Sequence, residues 1–90
     1  MKKAIVISED NHRFIGLAAN YPLAIDFLIK ENWLNENTEV WVNHRDCLLK
    51  EVFPNWQREI KSWTIKKFNE FFECYLYLEP MEVYGVNYWG

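Results

Sequence analysis

The 90-residue sequence predicts an α+β fold in one domain spanning residues 1–90. The expected architecture is a small antiparallel or mixed four-stranded sheet with about three helices, in the order ββ–α–β–α–α–β. Three observations carry this. Short β-branched or alternating runs, Lys3 to Ser8 and Thr38 to Asn43, lack helical spacing and read as strands. Elsewhere apolar residues recur at helical spacing behind capping residues. Half of all residues are hydrophobic and 18% are aromatic. That is enough bulk for a core in a chain whose length buries only about 60–65% of its unfolded surface.

Taken in order, Lys3 to Ser8 is the first strand. The turn formers Glu9-Asp10-Asn11-His12 follow, because Asn and Asp tolerate left-handed backbone and bond their own chain. Arg13 to Ala19 returns as the second strand of a hairpin, with Gly16 marking a bulge or a close neighbour. Asn20 can cap a helix whose first turn accommodates Pro22, and Pro22 to about Asn32 is that helix, with Leu23, Ala24, Phe27 and Leu28 inward. Thr38 to Asn43 is the third strand. Asp46 is read as the cap of a short helix through Leu48, Leu49 and Val52, which Pro54 ends. Asn55 restarts a helix to about Ser62, and Thr64 caps Ile65 to Phe72. Cys74 to Tyr84 is the last strand, at an edge or bulged because Pro80 cannot donate to a ladder.

The formal net charge is −3, too mild for a polyelectrolyte, but it is unevenly spread. All ten bases lie at or before Lys67, and from Phe68 onward there are only Glu70, Glu73, Glu79 and Glu82. Such a base-free aromatic segment suits a basic partner. Arg58, Lys61, Lys66 and Lys67 form a basic patch, weaker than nucleic-acid binders usually carry. Apolar runs such as Leu23 to Ile29 fall short of the roughly 20 residues of a membrane span.

His12, His44, Asp46, Cys47 and Cys74 are the residues from which a metal site or nucleophile would have to come. His44 and Cys47 have knuckle-like spacing, but structural zinc usually takes four ligands and no second pair stands in the sequence. A Cys nucleophile would need a positioned base, and His44 lies too near in sequence for the usual dyad. No catalytic residue, metal or cofactor is therefore expected. The three glycines stand isolated, so no phosphate loop is read. With no secretory leader or Asn-x-Ser/Thr site read, Cys47 and Cys74 are expected to be reduced thiols of a cytoplasmic protein.

The aromatic pattern is the most informative feature. Alternation sets Ala4, Val6 and Ser8 against Ile5 and Ile7, Val40 and Val42 against Trp41, and Cys74, Leu76 and Leu78 against Tyr75 and Tyr77. Both faces of the sheet then carry large apolar groups. If the helices cover one, the other would expose Ile5, Ile7, Trp41, Tyr75 and Tyr77, unless a helix or the tail residues Val86, Tyr88 and Trp89 shelter it.

The segments IGLAANYPLAIDFLIKENWL, TEVWVN and KKFNEFFECYLYLEPMEVY resemble a group of small uncharacterised proteins carried by phages and mobile elements of Gram-positive bacteria. The resemblance implies no assigned activity and no site residues. It does imply a class of accessory proteins that often bind and block a host enzyme, including defence nucleases. The expected function is thus a non-catalytic protein-binding module that inhibits or modulates a host protein. Trp41, Tyr75 and Tyr77 would anchor the contact, and Glu70, Glu73, Glu79 and Glu82 would steer the partner. The alternatives are a homodimer closed by the aromatic face, a nucleic-acid binder using the basic patch, and a small enzyme using His44 and Cys47.

Overall fold

The β-branched run near the start of the chain becomes the central strand of a three-stranded antiparallel sheet. A computed structural model describes residues 2–10, 13–72 and 75–83, the side chains of residues 2 and 83 apart. Strand β1 (Lys2–Glu9) pairs with β2 (Arg13–Ala18) on one side and with β5 (Leu76–Val83) on the other. The described elements between β2 and β5 send their buried residues into one core with Ile5, Ile7, Leu76 and Leu78 of this sheet.

The hairpin register shifts between Ile7 and Ser8, whose partners are Gly16 and Phe14, so Ile15 is the extra residue of a bulge. Gly16 meets both sequence expectations at once. Besides adjoining the bulge, it lies under the ring of Phe27, and a Cβ there would sit 2.7 Å from Phe27 Cζ.

Helix α1 (Tyr21–Lys30) starts as its sequence indicates: Asn20 Oδ1 accepts from the Leu23 N–H at 3.0 Å, and Pro22 lies in the first turn. Its buried residues are Ala24, Ile25 and Leu28, whereas Leu23, expected inward, is largely exposed. The helix ends in a Schellman motif. Asn32 adopts φ 63°, its N–H donates to the Ile29 carbonyl, and the Trp33 N–H donates to that of Leu28.

The expected four-stranded sheet is corrected at this point. Strand β3 (Glu39–Val42) does not join the main sheet; it pairs with β4 (Arg45–Leu48) in a separate two-stranded ribbon. Asn43 and His44 connect them with φ of 51° and 66°, the pair of left-handed residues that a type I′ turn requires. Asp46 and Cys47 are therefore strand residues, and Asp46 caps no helix. The helical turn α2 (Leu49–Val52) follows β4 directly without a side-chain cap. Helix α3 (Trp56–Lys61) opens at Asn55 as expected but again without a side-chain cap. Helix α4 (Ile65–Phe72) is capped by Thr64, whose Oγ1 accepts from the Lys67 N–H at 3.1 Å. The described order is ββ–α–ββ–α–α–α–β, with four helices where about three were expected.

The core lies between the sheet and the helices. Ile5, Ile7, Leu76 and Leu78 point into it and pack with Ile25, Leu28, Leu34, Val40, Leu49, Ile60, Phe68 and Phe72. Aromatic rings fill its end near α4: Phe53 meets Trp63 edge-on at 5.1 Å, and Phe71 stacks on Trp63 at 4.9 Å. Tyr21 bridges α1 to α3, its O–H donating to the Ile60 carbonyl at 2.6 Å. Among the described residues no helix is long and apolar enough to cross a membrane.

Candidate functional site

The expected contact surface does not assemble as a single face. Ile5 and Ile7 are buried in the core, which removes them from it. The alternation read in the first strand is correct, but the face bearing the two isoleucines is the covered one. The helices pack on the side of β1 that carries the two isoleucines, while Ala4, Val6 and Ser8 lie on the other.

Among the described residues the core cluster includes no side chain of that other face, although Ala4 and Ser8 along its central strand are buried. In register across it, Phe14 and Tyr77 flank Ser8, Leu17 and Glu79 flank Val6, and Met81 lies beside Ala4. Phe14 is 64% exposed, Leu17 58%, Met81 49% and Tyr77 39%, so four large apolar side chains share one solvent-facing layer. Tyr77, expected on an exposed face, lies on this one, and Glu79 shares it, but without the two isoleucines with which Tyr77 was grouped. Phe14, Leu17 and Met81 were missed: hairpin parity with Val6 could have found Leu17 and alternation from Tyr77 could have found Met81, whereas the bulge at Ile15 hides Phe14.

Trp41 and Tyr75 lie elsewhere. Trp41, 52% exposed, projects from the β3–β4 ribbon directly across from Asp46, and Glu39 shares its side of β3. Tyr75 precedes β5, and its O–H donates to the Trp33 carbonyl at 2.8 Å. Burial, and secondarily the negative charge of Glu9, push its phenol above the usual range. Both line a groove of about 760 Å³ with Phe71, Phe72 and the loop residues Asn35, Asn37 and Thr38. Glu70 is exposed on α4, and Glu82 stands opposite Lys3 on β1. Glu73 lies outside the described residues, as do Cys74, His12, Tyr84, Val86, Tyr88 and Trp89.

His44 is exposed at the ribbon turn, while Cys47 is half-buried opposite Val40 on the side that packs into the core. Strand alternation thus turns the thiol inward and leaves the imidazole at the tip. Among the described residues no three His, Cys, Asp or Glu side chains are grouped to hold a metal ion. Within the basic patch, Lys61 pairs with Asp26 at 2.6 Å and Lys67 Nζ sits 5.0 Å above the Trp63 ring, so two of its four charges are engaged internally. Compared with known proteins, the chain matches no family model, no curated protein and no solved structure.

Proposed function

We propose that the protein is a non-catalytic protein-binding module that docks its partner on the open face of the three-stranded sheet. The observation that carries this is the exposure of Phe14, Leu17, Tyr77 and Met81 side by side on one layer. Contiguous apolar patches of this kind mark interaction surfaces on soluble domains. Covering each side chain would recover on the order of 1 kcal/mol, about half the value of full burial because each is already part-covered. Glu79 is the charged residue on that layer among the strand side chains described, so the fitting partner is a protein with an apolar surface carrying a Lys or Arg to meet it. In the setting that the sequence resemblance implies, such a module would act by inhibiting or modulating a host protein, defence nucleases being among the candidates.

The test compares captured proteins. Wild type, Leu17→Glu and Met81→Glu are immobilised and offered a host lysate, with Lys66→Ala as a surface control. A protein retained by wild type and control but lost from both face variants supports the reading. Identical sets from all four would overturn it. A second reading, the homodimer, is favoured by the outer edge of β2, where residues 14–18 have no partner among the described residues beyond β1. Sedimentation at high micromolar concentration separates the two, since a monomer retires the dimer.

A further inference from the structure

We propose that the groove beside Trp41 is a second binding site, which takes an arginine side chain presented by a segment of a protein partner. It lies apart from the open sheet face and does not depend on that face having a partner. At about 760 Å³ it falls within the ~300–1,000 Å³ of pockets that hold ligands. Its walls combine two kinds of group. Trp41, Phe71, Phe72 and Tyr75 supply aromatic surface, and Glu39 and Asp46 supply negative charge. Among the described residues no Lys or Arg lines it, and neither carboxylate has an ion-pair partner. The C-terminal end of α4 closes the groove at Phe71 and Phe72, and the partial negative charge of a helix C-terminus adds to the same sign.

The chemistry that satisfies such a site is a flat cation. A guanidinium can stack on an indole and donate paired hydrogen bonds to a carboxylate at once, whereas an ammonium offers a point charge only. The register places indole and carboxylate for this: Trp41 lies directly opposite Asp46, and Glu39 is on the same side of the ribbon. The molecule already makes a weaker form of the contact at Trp63, beneath Lys67. Trp41 is exposed and has no such cation among the described residues. The walls are also fixed in advance. The Asn35 N–H donates to Thr38 Oγ1 at 2.9 Å, the Asn37 N–H to Asn35 Oδ1 at 2.9 Å, and Tyr75 to the Trp33 carbonyl, so a ligand need not order them.

The experiment titrates isotope-labelled protein at low salt with the blocked tripeptides Ala-Arg-Ala, Ala-Lys-Ala and Ala-citrulline-Ala, and with free arginine, followed by two-dimensional NMR. The arginine peptide should shift the Trp41 indole N–H and the amides of residues 35–46 saturably. It should bind about threefold more tightly than the lysine peptide, and the neutral citrulline peptide should not saturate. Glu39→Gln/Asp46→Asn should weaken it about tenfold with an unchanged unfolding midpoint, because both positions are exposed. Trp41→Ala should weaken it without abolishing the charge preference. Free arginine, whose own carboxylate is repelled, should bind less tightly than the peptide. Equal shifts from citrulline, shifts centred elsewhere, no saturation at tens of millimolar, or tighter binding of free arginine would each overturn the assignment.

Discussion

The side-chain amide of Asn69 takes up both backbone groups of Leu78: Nδ2 donates to the Leu78 carbonyl at 2.9 Å, and Oδ1 accepts from its N–H at 2.9 Å. A residue of α4 thereby pairs with the outer edge of β5 as a neighbouring strand would. Two residues on, Pro80 has no N–H to present. The edge that would otherwise invite another chain is closed by these two devices.

Asn69→Ala should therefore destabilise the fold by about 1–3 kcal/mol, since it leaves a part-buried donor and acceptor unpaired. Urea unfolding measures the loss. Hydrogen exchange localises it, with the Leu78 amide losing protection first. Unchanged protection at Leu78 would mean that the amide clamp contributes nothing.

Gly16→Ala should cost about 1–2 kcal/mol, because the new Cβ would sit 2.7 Å from Phe27 Cζ and the ring must move out of the core. The check is a double-mutant cycle with Phe27→Leu. The alanine should cost less when the smaller leucine side chain replaces the ring, and additive losses would place the strain elsewhere.

His44→Gly should stabilise the ribbon by about 0.5 kcal/mol. The left-handed conformation of His44, φ 66°, costs an L-residue about 1 kcal/mol or more, and the greater unfolded-state freedom of glycine returns part of that gain. A thermal midpoint that falls on substitution would show the imidazole making a contact worth more than the strain.

Stability should fall in alkali. Burial pushes the phenol of Tyr21 far above its ordinary 10.0, and that of Tyr75 is raised as well. Because the folded state holds these protons more tightly, their contribution is intact below about pH 10 and is lost as the pH rises beyond it. Tyr21→Phe should lose about 1 kcal/mol at neutral pH with its hydrogen bond to the Ile60 carbonyl, yet decline less steeply above pH 10. Urea titrations at several pH values test this, and parallel curves for variant and wild type would refute it.

Features legible in the sequence depend on a few neighbouring residues. Asn20 with Pro22 and Thr64 mark helix starts because a cap bonds an amide two or three residues away. Gly16 marks a crowded point because the absence of a side chain is itself a local fact. The Asn43-His44 turn escaped because histidine in place of glycine hides the positive φ, and Arg-Asp-Cys-Leu has little of the β-branched character of a strand. In the candidate site, alternation separated Tyr77 from the buried Leu76 and Leu78, but its grouping with Ile5 and Ile7 was wrong, because only the β1–β5 register sets it beside Ser8; Trp41 likewise could be assigned to a sheet only by knowing its partner.

Residues a few positions apart thus set most of the strands and helices, the caps at Asn20 and Thr64 and the alternation of β1, but not β4, since backbone preference and side-chain reach act over that range. Tertiary packing decided the rest. It paired β1 with β5 from the far end of the chain, diverted β3 into a ribbon with β4, and turned Ile5 and Ile7 toward the helices, leaving Phe14, Leu17 and Met81 outside. Each of these choices compares the burial available to whole faces, and that balance exists only once distant segments have met.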